Sequence, residues 1–245
     1  SDHKADIYPY NGLGQILTFT DILSTENKGY ITSDVTIGKG FGAVGNRLTL
    51  TALNKETYDS SSYKLNVTLI LNCHTRNAFD IGGTSTATIT LAGGDIDVND
   101  FVAQAQTDIV EQVSQELRGG SAVVDTNTGK VESFITQTAA VTLGTGDNKL
   151  DILADSVSIT AHNKHLFTRS DQEHRAMVFG NDFAIGFGTS IGTVQARQNI
   201  NAAVTLGNNA HILRRADLLH YKNKDAYKTL ISATNNVESF TQIDL

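Results

Sequence analysis

The stretch "INAAVTLGNN" (200–209) decides how this chain is read, because close variants of it stand earlier as "ITSDVTIGKG" (31–40) and "TQTAAVTLGTG" (136–146). The shared core is a β-branched residue, Thr, Leu or Ile, then Gly or Ala. It occurs at Val35-Thr36-Ile37-Gly38, Ile89-Thr90-Leu91-Ala92, Val141-Thr142-Leu143-Gly144 and Val204-Thr205-Leu206-Gly207. The copies start 54, 52 and 63 residues apart, each with a small residue two positions upstream: Ser33, Ala87, Ala139 and Ala202. Self-similarity at a nearly fixed interval is the mark of stacked architectures, in which each repeat covers the apolar face of the next.

Three copies share a second signature, an Asn-Lys pair followed by an aromatic: "LNKETY" (53–58), "HNKHLF" (162–167) and "KNKDAY" (222–227). Its asparagines lie 19, 22 and 19 residues past the start of their own motif. Between the signatures run further strand-like segments, "RLTLTA" (47–52), "KLNVTLIL" (64–71), "SVSITA" (156–161) and "FAIGFGTSIGTV" (183–194), bounded by Gly, Asn, Asp or Ser. One proline, no tryptophan and 21 glycines favour strands and turns over helices. The expected class is all-β.

One stretch is ambiguous. In "DFVAQAQTDIVEQVSQELRGG" (100–120), Val102, Ala105, Ile109, Val113 and Leu117 share one helical face, with Asp100 as a cap and Gly119-Gly120 as a stop. Phe101, Ala103, Ala105, Ile109, Val113 and Leu117 also alternate with polar neighbours as a strand would. The repeat register favours a strand, with a short helical excursion near 100–118 as the alternative.

A repeat of this length fits two rungs of about 25 to 30 residues each, giving eight or nine rungs and a rod on the order of 40 Å. In such a coil Val141 and Leu143 point inward onto their counterparts above and below, while Thr142 points outward. The glycine that follows supplies positive φ or a close approach at the bend. Asn54, Asn163 and Asn223 are expected at bends too, since asparagine tolerates the left-handed region. Tyr58, Phe167 and Tyr227 would then line one edge, most simply as covers over the core and alternatively as a ladder of rings for a glycan or protein.

The Ala/Gly/Val-rich segment "FGNDFAIGFGTSIGTVQARQNINAAVTLGNN" (179–209), alternating with the Thr/Ser/Ala strand "SVSITAHNK" (156–164), resembles the repeats of large bacterial filamentous adhesins. These are the filamentous-haemagglutinin-type and leukotoxin-like exoproteins of two-partner secretion, and the resemblance covers roughly residues 30 to 230. It implies a right-handed parallel β-helix, or β-solenoid, exported from a Gram-negative cell through an outer-membrane transporter. It also implies a secreted or cell-surface location and a virulence role in attachment to a host-cell protein or glycan. It brings no catalytic residues. Residues 1–30 are expected as an amino-terminal segment or cap, 31–230 as solenoid repeats and 231–245 as a carboxy-terminal segment. "SDHKADIYPY" (1–10) reads as a start in mid-chain.

Chemistry-bearing groups are sparse. The net charge of −7 argues against a nucleic-acid partner, and the densest basic patch, Lys222, Lys224 and Lys228, is interrupted by Asp217 and Asp225. The lone Cys73 has no internal disulfide partner and reads as a small apolar side chain. No apolar run of about 20 residues suggests a lipid-spanning segment. Asp95, Asp97 and Asn99 fall on one side of a strand, but the glycine and glutamate of an EF-hand are replaced by Asp100 and Gln106. His162, His165 and His174 have zinc-like spacing, yet His162 and His165 occupy repeat slots filled by Leu53 and Glu56 or by Lys222 and Asp225, so they read as outward decoration. Asp151, Asp155 and Asp171 are the acids nearest a hydrolytic set, and no acid is expected to stay in register through the copies. No catalytic residue, metal or cofactor is therefore expected. The expectation is a non-catalytic adhesin fragment, with a β-helical polysaccharide lyase or glycoside hydrolase, or an inert spacer, as alternatives.

Overall fold

The computed structural model describes residues 2–7, 10–18, 21–121, 123–166, 176–184, 187–214, 228–238 and 241–244. Among them there is no helix. The strands are β1 (Asp2–Ile7), β2 (Tyr10–Thr18), β3 (Asp21–Ile37), β4 (Phe41–Leu91), β5 (Gly94–Ser121) and β6 (Val124–Leu143). They continue with β7 (Leu150–Leu166), β8 (Ala176–Ala184), β9 (Phe187–Leu206), β10 (Ala210–Arg214), β11 (Thr229–Glu238) and β12 (Thr241–Asp244). Every pairing among the described residues is parallel, and the main path runs β10-β7-β5-β4-β6-β9.

The four motif copies lie on one line. Val35 pairs with Ile89, Ile89 with Val141, and Val141 with Val204, each as direct ladder neighbours. A second line is built in the same way from Phe41, Gly94, Leu150 and Ala210. The long β4 contributes its start to the second line and its end to the first. The chain therefore visits the two ladders alternately. It crosses from first to second through residues 38–40, 92–93, 144–149 and 207–209.

This register corrects the expected rung count. Because each copy is hydrogen-bonded to the next, the whole interval of 52 to 63 residues is one level of the stack. Strands such as β5, of 28 residues, absorb a length that the sequence reading divided among several short strands. The stack is four levels deep along both lines and five where β1 and β11 add to it, at Asp2, Thr57, Val110, Leu166 and Glu238. At about 4.8 Å per step that is a depth on the order of 15–20 Å, less than the expected rod.

The 100–118 stretch is strand throughout. Phe101, Ala103, Ala105, Thr107, Ile109, Glu111 and Val113 are all buried, whereas Val102, which a helix would have placed inward, is half-buried on the other face. Period-two burial wins because each inward residue meets counterparts on the levels above and below, a saving that an isolated helical stripe lacks.

The core lies between the ladders. One cluster joins Ala87, Ile89, Leu91, Val141 and Leu143 of the first ladder to Ile96, Phe101, Leu150, Ile152 and Ile159 of the second. A smaller cluster gathers Tyr58, Phe79, Ile81, Ile109, Val113, Val131 and Ile135. As expected, Val141 and Leu143 are buried and Thr142 is not. Gly144 has φ 76°, and a Cβ at Gly207 would collide with the Gly144 carbonyl, so these two meet the glycine requirement in its two forms. Gly38 meets neither, and the left-handed residue of its crossing is Gly40, at φ 76°.

Candidate functional site

Two polar assemblies stand out from this apolar frame, one inside and one outside. The inner one starts at Asn54 and Asn163, which are buried in mid-strand rather than placed at bends. Asn54 is in register with Thr107, Thr107 with Asn163, and Asn163 with Asn235. Thr107 Oγ1 donates to Asn163 Oδ1 at 2.6 Å, and Asn163 Nδ2 donates to Asn235 Oδ1 at 2.8 Å. Asn54 Nδ2 reaches across to the Thr86 carbonyl at 2.8 Å, and Gln137 Nε2 to Thr107 Oγ1 and the Lys164 carbonyl, each at 3.1 Å. The place expected for Asn223 is taken by Asn235, and Asn223 itself lies outside the described residues.

Two and four positions further along the strands lie ionisable groups. Tyr58 Oη donates to Glu56 Oε2 at 2.7 Å, and His165 Nε2 lies 3.2 Å from Glu111 Oε2. All four residues are 0 % exposed. Burial, reinforced by the hydrogen bond to Glu56 and by its charge, pushes the Tyr58 phenol far above the usual tyrosine range. His165 thus points inward, against the expectation of an outward slot. Tyr58 is sealed into the core, in keeping with a cover over the core and not with a ring displayed on an edge, while Phe167 and Tyr227 lie outside the described residues. No ligand can reach this layer without opening the stack. Its chemistry is internal pairing.

The outer assembly is a groove of about 240 Å3 lined by Lys28, Asp80, Ile81, Glu132, Ser133, Phe134, Gln195 and Arg197. Its residues form two parallel lines along the first ladder. Glu26, Asp80, Glu132 and Gln195 are successive neighbours, as are Lys28, Gly82, Phe134 and Arg197. Acids therefore stay in register over three levels and give way to Gln195 on the fourth, so the line of acids runs further than expected without passing through every copy. Gly82 carries no side chain, so the groove opens between Lys28 and the ring of Phe134, which is 56 % exposed.

The charges in the groove are mostly matched. Lys28 Nζ lies 3.1 Å from Glu26 Oε2, and Lys130 Nζ 2.6 Å from Glu132 Oε2. With its amide nitrogen turned to Glu132 Oε1 at 3.0 Å, Gln195 accepts from Arg197 Nε and Nη2 at 2.9 and 2.7 Å. Burial, then the charge of Glu132 and a hydrogen bond to it, raise the Asp80 carboxyl above its ordinary value. The Lys130 hydrogen bond lowers Glu132. The pair therefore splits its roles, Asp80 carrying a proton more readily and Glu132 the charge. The volume is below the roughly 300–1,000 Å3 of a small-molecule pocket, which suits one ring or one protruding side chain.

The remaining candidates do not assemble. Asp95, Asp97 and Asn99 face outward, with Asn99 donating to Asn46 at 2.7 Å. Asp151 is held by Lys149 at 2.5 Å and His211 at 2.9 Å, which lower its carboxyl below the usual range. Asp155 is half-buried on the same strand, and Asp171 and His174 lie outside the described residues. His162 Nδ1 is 2.7 Å from Thr234 Oγ1 on the outer face. Among the described residues no group of three or more His, Cys, Asp or Glu is arranged to hold a metal ion. Lys228 is exposed, while Lys222 and Lys224 are among the residues not described. No helix among the described residues is long and apolar enough to cross a membrane.

The sequence signal for the groove is simple in hindsight: Glu26, Asp80, Glu132 and Gln195 each stand nine residues before the first residue of their motif copy. Compared with protein-family models, with curated proteins and with solved structures, the chain gives no match.

Proposed function

We propose that this chain is a right-handed parallel β-helix from a filamentous-haemagglutinin-type adhesin, acting by display and contact rather than by catalysis. The observation that carries the reading is the single line through Val35, Ile89, Val141 and Val204. A stack that repeats one interior at every level exposes long, regular outer faces, and such faces serve binding without a deep pocket. The parent protein would leave a Gram-negative cell through an outer-membrane transporter and act at the cell surface or as a secreted protein. The contact face is the first ladder's outer side, where Phe134 stands beside the gap at Gly82 and hydrogen-bonding side chains surround it. Its partner would be a host surface protein or glycan, bound through the ring and the polar groups around it.

The test is binding of the purified chain to host cells and to a glycan array. Saturable binding that Phe134→Ala weakens tenfold or more is the expected result. Absence of binding in both assays would return the chain to the role of an inert spacer.

One observation favours a second reading, a polysaccharide-active enzyme. Asp80 and Glu132 pair on adjacent levels of the outer face with their proton affinities pushed apart. Against it, carboxyls in hydrogen-bond contact are closer than the roughly 5–9.5 Å of glycosidase pairs. Turnover of a neutral or uronic-acid polymer that is abolished by both Asp80→Asn and Glu132→Gln would establish the enzyme.

A further inference from the structure

The groove on the first ladder restricts the chemistry of its guest. Its floor lies between β4 and β6, which are flanked by β3 and β9. Ile81 and Ser133 line it there, although their side chains are buried on the inward side. The main chain of the floor is paired as a parallel ladder, so it offers an occupant little to bind. Polar bonds to a guest must come from the walls.

The two walls differ. On one stand Asp80, Glu132 and Gln195, which present mainly acceptors. On the other, the Phe134 ring stands in line between Lys28 and Arg197, with Gly82 as the member next to Lys28. A Cβ at Gly82 would press on the Phe134 carbonyl oxygen at 2.8 Å, which keeps that place without a side chain.

The charges around the groove balance, with Glu26, Asp80 and Glu132 set against Lys28, Lys130 and Arg197. They are also engaged with one another. Lys28 holds Glu26, while Lys130 and the Gln195 amide hold Glu132, to which Asp80 is hydrogen-bonded as well. An ionic guest would have to break one of these pairs and meet a like charge. A neutral guest with hydroxyls need not, because a carboxylate offers about four lone-pair sites. Arg197 spends only Nε and Nη2 on Gln195, out of the roughly five N–H donors of a guanidinium.

The guest that suits both walls is therefore uncharged, apolar on one flat face and rimmed by groups that both donate and accept. A pyranose ring has this make-up. Its C–H face covers an aromatic ring, and its adjacent hydroxyls span the fork of a carboxylate or guanidinium. An apolar protein side chain would satisfy Phe134 alone and would desolvate the carboxyls opposite without replacing their water.

We propose that the groove binds one neutral hexopyranose residue, its C–H face on Phe134 and its vicinal hydroxyls bonded to Asp80 and Glu132 on one wall and to Arg197 on the other. This rests on the reading of this face as the contact surface, and it narrows the partner from a protein or glycan to an uncharged sugar.

The test titrates the whole chain with the methyl hexopyranosides of glucose, galactose and mannose, and with glucuronic acid and glucosamine as charged counterparts, by saturation-transfer NMR. At least one neutral probe is expected to saturate with a Kd on the order of 1–10 mM. Transfer should concentrate on the C–H protons of one ring face. Phe134→Leu, which keeps apolar bulk without the flat ring, and Glu132→Gln should each raise that Kd about fivefold or more. Asp151→Asn, on the outer face of the second ladder, should leave it unchanged. Melting followed by circular dichroism checks that each variant is folded. No saturation by any neutral probe overturns the proposal. So does equal or tighter binding of the acidic or the amino sugar, and so does a Kd that both groove variants leave unchanged. Host-cell binding without sugar binding would point to a protein partner, removing this inference and leaving the adhesin. Sugar binding without host-cell binding would keep this inference and remove the adhesin.

Discussion

Two inward lines cross the same stack within a few residues of each other and are built on opposite principles. Val35, Ile89, Val141 and Val204 place like on like, and their sequence words barely change. Asn54, Thr107, Asn163 and Asn235 share no residue type at every level, yet the last three are joined in succession by hydrogen bonds of 2.6 and 2.8 Å, while Asn54 donates to the Thr86 carbonyl across the interior. An apolar line needs only shape and aversion to water, so any level can repeat it. A polar line needs a donor to face an acceptor, so it fixes which residue opposes which. A one-residue slip would move the entire set to the other face, leaving buried amides without partners. The first line supplies the energy of the stack and the second its register.

That division is open to attack, beginning where the largest effect is expected. Ile89→Ala removes a fully buried side chain from the middle of the apolar line and should cost about 2–5 kcal/mol, read by urea denaturation. A cost under about 1 kcal/mol would mean that the line is loosely packed and not the main source of stability. Asn163→Ala strands Thr107 and Asn235 together and should cost about 1–3 kcal/mol. A double-mutant cycle of Asn163→Ala with Thr107→Val should show strong coupling, whereas additive costs would mean that the two act independently. The smallest effect is expected from pH. Tyr58 is held neutral by burial, so its contribution is complete below the ordinary tyrosine value of about 10 and fades as pH rises above it. The thermal midpoint of the wild type should therefore fall more steeply between pH 9 and 11, approximately the range spanning that value, than that of Tyr58→Phe. Parallel slopes would place the alkaline weakness elsewhere.

The same contrast explains what could be read in advance. The motif line was legible because identical apolar words signal identical surroundings, and the inward aim of Val141 and Leu143 followed from the two-residue period. The polar line was misread. Asn54 and Asn163 suit bends by their backbone tolerance, and nothing local in "LNK" or "HNK" tells a bend from a buried amide; the deciding fact is the hydrogen-bond partner on another level. His165 was misplaced for the same reason, as its partner Glu111 stands on another level. The number of levels was misjudged because β5 and β4 outrun ordinary strand lengths of about 5–6 residues. The acids of the groove were within reach of simple counting, nine residues ahead of each motif, but the comparison stopped at the words that matched.

The crossings between the two lines carry a practical consequence. They hold three, two, six and three residues, at 38–40, 92–93, 144–149 and 207–209, and yet the strands that leave them fall back into one register. Slack gathered at a single seam is harmless to the ladders on either side. That seam, and the six-residue segment 144–149 with its left-handed Gly144 and Gly146 above all, is where a foreign peptide can be grafted while the scaffold keeps its alignment.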